Sequence, residues 1–186
     1  LSSLENDYSY DRLFDALFLT SSNRTKHSPQ SVERFKQTEP GKTEPISHFH
    51  KLDANGICKT LRAGTPRNRG AFTSHSPIHP ETPRCITVRE AARLHSYPDW
   101  FRFHSSKWHG FRQIGNSVPP LLAKAIGAEI INALGIIPIK PEQTRELGDD
   151  ALLQLNMSQA AARFGVDENI IERRKRKKKQ DKEMGR

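Results

Sequence analysis

Arg112-Gln113-Ile114-Gly115-Asn116-Ser117-Val118-Pro119-Pro120-Leu121-Leu122-Ala123 is the stretch on which the reading of this chain turns. Gly115 permits a tight backbone turn. Asn116 and Ser117 add a short cluster of donors and acceptors. Pro119-Pro120 suits the first turn of a helix, where a missing N–H costs nothing. Leu122, Ala125, Ile126, Ile130, Ala133 and Leu134 then keep helical spacing, with Gly135 as the stop. A polar turn leading into an apolar helix is a common way to set a few hydrogen-bonding groups against a small ligand. Gly-Asn-Ser alone reads as an ordinary loop-to-helix junction.

The block just upstream removes that ambiguity. It reads Pro83-Arg84-Cys85-Ile86-Thr87-Val88-Arg89-Glu90-Ala91-Ala92-Arg93-Leu94-His95-Ser96-Tyr97-Pro98-Asp99-Trp100-Phe101. Thr87 with Glu90 forms a capping box, which predicts a helix through Leu94, and Pro98 ends any continuation. Arg89, Glu90 and Arg93 read as organisers through ion pairs and hydrogen bonds; Trp100, Phe101 and Phe103 read as core. Together the two blocks resemble the ninth and tenth conserved motifs of the DNA (cytosine-5) methyltransferase family. The resemblance runs over roughly residues 50–133.

That resemblance implies an enzyme that transfers a methyl group from S-adenosyl-L-methionine to carbon 5 of cytosine in double-stranded DNA. A cysteine thiolate adds to carbon 6, a glutamate assists at the ring nitrogen, and the base must leave the stack. The family carries the cysteine in Pro-Cys-Gln, the glutamate in Glu-Asn-Val and a glycine-rich cofactor loop near its start, and none of these segments occurs here. The cysteines are Cys58 and Cys85, in Ile-Cys-Lys and Arg-Cys-Ile, and both read as small packing residues. No catalytic residue and no metal ligand is therefore assigned, and this chain alone is expected to be inactive. It is read either as the C-terminal part of a longer methyltransferase or as the small subunit of a split enzyme. The leucine at position 1 favours the fragment.

By the same resemblance, Asn116, Ser117 and Val118 would line the S-adenosyl-L-methionine pocket, and the helix after Pro119 would pack onto the catalytic domain. The segment before the ninth motif would be the target recognition region. There Lys59-Thr60-Leu61-Arg62 is similar to the family's Thr-Leu dipeptide, whose threonine helps hold the flipped nucleotide. Ala63-Gly64-Thr65-Pro66-Arg67-Asn68-Arg69-Gly70 adds glycines and guanidinium groups suited to phosphate or a guanine edge. Thr60, Arg62, Arg67 and Arg69 are the candidate DNA contacts, although an isolated arginine is usually only a solvated charge.

Composition agrees with a polyanionic partner. The 186 residues carry a net charge of +9, with 34% hydrophobic and 27% charged residues and 12 prolines. That supports one or two small domains with a modest core and much loop. No apolar run reaches membrane-spanning length. Two cysteines without metal-ligand spacing fit a reducing intracellular setting, and the resemblance implies a cytoplasmic, nucleoid-associated enzyme of a restriction–modification system.

The expected fold class is mixed α/β (α+β), with a small β-containing recognition region. Residues 1–47 are read as an N-terminal helix and linker, the helix over 7–20 placing Leu13, Phe14, Leu17 and Phe18 on one face. Residues 48–82 form the recognition region, with short strands at His48–Leu52 and Cys58–Arg62 separated by an Asp53-Ala54-Asn55-Gly56 turn. Residues 83–137 hold the two motifs. Residues 138–186 form a helical extension, with a helix over Asp150–Asn156. Within it, Ser158 to Ile171 resembles a helix-turn-helix, with Ala161 and Gly165 at the tight positions. The uninterrupted cations Arg173 to Lys179 follow. A helical hairpin with a charged tail is the plainer reading of this extension. A non-catalytic DNA-binding regulator is the alternative reading of the whole chain.

Overall fold

Ser28-Pro29 opens the first helix of the computed structural model, which describes residues 12–13, 17, 19–62, 77–139 and 145–167. The Ser28 hydroxyl accepts the N–H of Ser31, proline occupies the first helical turn, and α1 runs Pro29–Gln37. This corrects the expectation of a linker over residues 21–47. The helix is anchored by Phe35, which packs with Ile78, Cys85 and the partly buried Phe49. Its C-terminal carbonyls are capped from a distance. The buried Lys51 ammonium donates to the Phe35 carbonyl at 3.1 Å and to that of Thr38 at 2.8 Å.

Little of the described structure is strand. Arg12–Leu13 (β1) pairs in parallel with Arg145–Glu146 (β2), so the helix expected over residues 7–20 does not include those two positions. The 3.6-residue pattern there is short, and a distant partner strand overrides it. His48–Leu52 and Cys58–Arg62 are not regular strands either. The first contributes isolated bridges, His50 to Thr43 and Lys51 to Ile78, while Ile78 also bridges Cys85. The second makes no bridge. The turn between them forms as its chemistry predicts: Asp53 accepts Asn55 N–H on its carboxylate at 3.0 Å and Gly56 N–H on its carbonyl at 3.2 Å.

Three helices follow. α2 spans Val88–Leu94, α3 Lys107–Gly115 and α4 Pro120–Ala133. α3 was not foreseen; Gly115 is its last residue rather than a free turn, and Trp108, Phe111 and Ile114 supply a helical period that the sequence does contain. α2 and α3 approach closely because Gly110 has no side chain: a Cβ there would lie 2.8 Å from Val88 Cγ1. Around them a core gathers Leu52, Leu61, Ile86, Val88, Ala91, Ala92, Phe103, Phe111 and Ile114. α4 starts at the proline pair and stops at Gly135, whose φ is +65°, as its sequence implies.

Contacts divide the chain into two units, residues 1–153 and 154–186. The part of the expected extension from 145 to 153 packs with the first unit: Asp150 pairs with Arg102, and the Leu153 carbonyl accepts Ser105 N–H at 2.9 Å. Asp150–Gln154 is a 3₁₀ turn rather than the α-helix expected over Asp150–Asn156. In the second unit, α5 (Met157–Phe164) has a reciprocal Asn156/Gln159 capping box and ends on Gly165 at φ +62°. The second helix expected from Asp167, and the cations at 173–179, lie outside the described residues apart from Asp167 itself.

Candidate functional site

Site construction begins at the N-terminus of α2. Thr87 accepts Glu90 N–H at 3.1 Å, and Glu90 returns the bond by accepting Thr87 N–H at 2.7 Å. Arg84 closes on the same carboxylate with two bonds of 2.8 and 2.7 Å. The Arg84 hydrogen bonds, helped by the Thr87 N–H, hold the Glu90 carboxyl down at about 2. One turn on, Arg93 grips Asp99 with bonds of 2.8 and 2.7 Å. Arg89, between them, is 1% exposed. Its guanidinium donates to the carbonyls of Thr20, Pro98 and Phe101 and to the Thr20 hydroxyl. These residues act as the organisers that their sequence suggests. Arg89 and Arg93 lock the aromatic loop at 97–103 onto α2, with Phe103 buried, Trp100 half-buried and Phe101 more exposed at 37%.

At the other end of α2 the chain turns sharply. Ser96 takes φ +62°, with Ser96 N–H bonded to the Arg93 carbonyl at 3.0 Å and Tyr97 N–H to that of Ala92 at 2.8 Å. This is the double-bonded left-handed helix end usually given to glycine. From it, His95 Nε2 donates to the Ser117 carbonyl at 3.1 Å, and Ser96 Oγ accepts the N–H of Leu121 at 3.1 Å. Between these two anchors lies the turn that sequence assigns to a cofactor. Asn116 and Val118 are exposed, and Ser117 is half-buried with its hydroxyl donated to the Ile114 carbonyl at 2.7 Å. An exposed amide and an exposed apolar side chain therefore precede α4. That donor set suits one edge of a ligand that is part polar and part apolar. His95 and Ser96 were not singled out as site residues. The sequence signal that could have found them is a helix end three residues before a proline with no glycine to turn it.

The candidate DNA contacts divide. Leu61 is buried in the core, and the alternation leaves its neighbours Thr60 and Arg62 exposed on the surface. Arg67 and Arg69 lie outside the described residues. The cysteines behave as packing groups: Cys85 is buried, and burial pushes its thiol up to about 12, while burial also raises Cys58. No cluster of three or more metal-ligating side chains occurs among the described residues.

α4 has no buried residue at all. Leu122 is 51% exposed, Ile126 51%, Ile130 54% and Leu134 65%, and Ile136, Ile137 and Ile139 extend the apolar surface. Among the described residues, no element buries this apolar helix face. No helix among the described residues is long and apolar enough to cross a membrane.

Comparison with known proteins gives this geometry a family. The type II methyltransferase M.XorII of Xanthomonas oryzae pv. oryzae (strain KACC10331 / KXO85) is 59% identical over 170 residues, covering 91% of this chain and 40% of that protein. The type II methyltransferase M.AgeI of Thalassovita gelatinovora is 33% identical over 137 residues, covering 64% of this chain and 31% of that protein. A crystal structure described as that of a DNA modification methyltransferase encoded within a prophage (E. coli) is 45% identical, with a TM-score of 0.55, covering 63% of this chain and 30% of that one. The chain thus spans less than half the length of these curated relatives. Residues 3–132 match the family model for C-5 cytosine-specific DNA methylases, and the chain belongs to that family.

Proposed function

We propose that this chain is the C-terminal part of a DNA cytosine-5 methyltransferase, supplying DNA recognition and one wall of the cofactor pocket. The observation that carries this reading is α4, an apolar helix with no buried residue, which directly follows the Asn116–Val118 turn. Covering Leu122, Ile126 and Ile130 would contribute about 1.5–3 kcal/mol for each side chain, enough to hold a catalytic part in place.

S-adenosyl-L-methionine, when bound, supplies the methyl group. Asn116 offers it an amide, Val118 an apolar contact and Ser117 a backbone fixed by His95. Thr60 and Arg62, with Arg67 and Arg69, meet the sugar–phosphate backbone and the bases of double-stranded DNA. The attacking sulfur comes from outside this chain. Burial pushes the Cys85 thiol up to about 12, and Phe35 and Ile78 wall it in, so it is a poor source of thiolate. As an enzyme on chromosomal DNA, the assembled protein works in the cytoplasm beside the nucleoid.

The test is reconstitution. The purified chain transfers no methyl group to duplex DNA, whereas mixing or fusing it with a family segment bearing Pro-Cys-Gln and the glycine-rich loop restores transfer. In that assembly Asn116→Ala weakens cofactor binding and leaves DNA affinity within twofold. Methyl transfer by the chain alone would overturn the proposal.

A further inference from the structure

Ser96 adopts a backbone that side chains disfavour, at φ +62°, and glycine would adopt it freely. Strain retained at such a point usually serves something nearby. What it serves is visible in the bonds of α4. Pro119 and Pro120 have no N–H, and Pro119 provides no side-chain cap, so Leu121 carries the first N–H of the helix. The Ser96 hydroxyl accepts that N–H at 3.1 Å. Its neighbour His95 donates to the Ser117 carbonyl at 3.1 Å. Two consecutive residues at the end of α2 therefore hold both sides of the segment from Ser117 to Leu121. The Ser117 hydroxyl, bonded to Ile114 at 2.7 Å, fixes its other edge to α3.

We propose that Ser96 and His95 are positioning residues that set the Asn116–Val118 turn in its cofactor-receiving geometry, coupling it to α2. Neither touches the cofactor; each acts through the turn. The inference rests on the cofactor reading of that turn, and the experiment separates the two.

Ser96→Gly suits the left-handed backbone and removes the hydroxymethyl group, so the variant folds at least as well as the parent. In the chain itself, amide hydrogen exchange at Leu121 speeds up about fivefold to tenfold in Ser96→Gly, the size of one lost hydrogen bond, while Ala91 and Ala92 keep their rates. In the reconstituted enzyme the KM for S-adenosyl-L-methionine and the Kd for S-adenosyl-L-homocysteine rise by a similar factor of about five to ten, with kcat within twofold. His95→Phe, which keeps the ring and loses the donor, moves the same constants in the same direction. A merely structural Ser96 predicts faster Leu121 exchange with unchanged cofactor constants, and that result overturns the proposal. Asn116→Ala is the control. If Asn116→Ala leaves cofactor affinity unchanged, the cofactor reading itself falls. If Asn116→Ala weakens it and Ser96→Gly does not, only the positioning role falls.

Discussion

Arg89 Nη2 donates to the Phe101 carbonyl at 2.6 Å, joining the buried face of α2 to the aromatic loop twelve residues on. The same guanidinium reaches back to Thr20, so one side chain ties three segments together. Arg89→Ala removes donors from the carbonyls of Thr20, Pro98 and Phe101 together and leaves a void. It should cost about 3–5 kcal/mol, most of the stability of a small domain. Arg89→Lys should recover only part, because one ammonium cannot span the fork. Urea unfolding of the chain measures both, and a loss below 1 kcal/mol for the alanine would refute this role.

Gly110 sits where α2 and α3 meet, and an added Cβ would fall 2.8 and 3.1 Å from the two Val88 methyls. Alanine is the better helix former by about 1 kcal/mol. Here packing outweighs propensity, and Gly110→Ala should destabilise by about 1–3 kcal/mol. Adding Val88→Ala should relieve the clash, so the pair loses less than the sum of the two single changes. Additive losses would show that the helices do not touch there.

His27 Nε2 accepts Cys85 N–H at 3.1 Å, which requires the neutral ring. Burial, with Lys107 nearby, pulls its pKa below the ordinary histidine value. The unfolded chain therefore binds this proton more tightly than the folded one. The stabilisation is present above roughly pH 6.5 and is lost as pH falls through the lower folded value. Urea midpoints at pH 7.5 and 5.5 should separate more for the parent than for His27→Ala. Equal separations would remove His27 as the source.

Truncation after Gln154 tests the second unit without cutting the Arg102–Asp150 pair or the Ser105–Leu153 bond. The shortened chain loses Arg173 to Lys179. Its binding to an arbitrary DNA duplex should weaken, and the slope of log affinity against log salt should shrink by about 0.9 for each phosphate contact removed. Fluorescence anisotropy at several salt concentrations reads the slope, and an unchanged slope would mean that the tail does not contact DNA.

Local chemistry was legible where it closes on itself. The Thr87/Glu90 capping box, the proline pair before α4 and the Asp53–Gly56 turn each involve residues a few positions apart, and all form as their sequence implies. Elements made by distant partners were not. The strand at Arg12–Leu13 exists because Arg145–Glu146 lies beside it. The strand expected at His48–Leu52 gains only isolated bridges, since His48 sits at φ +59° and Ile78 shares itself between Lys51 and Cys85. α1 was hidden in a polar stretch because only Phe35 of its nine residues is buried, and that burial depends on Ile78 and Cys85. The loop-to-helix junction before α4 was readable from its own residues, whereas the bond it receives from Ser96 was not. Its hydroxyl matters through a helix that begins more than twenty positions later.

The parallel pairing of β1 with β2 bears on how the protein is made. Arg12–Leu13 leaves the ribosome well before its partner, which emerges only after the whole of α4. Until then the edge of the early strand and the oily side of that helix are bare together, a combination that invites association between nascent chains. Translation speed across this region, or a chaperone that shields it, should therefore govern how much usable protein a cell recovers.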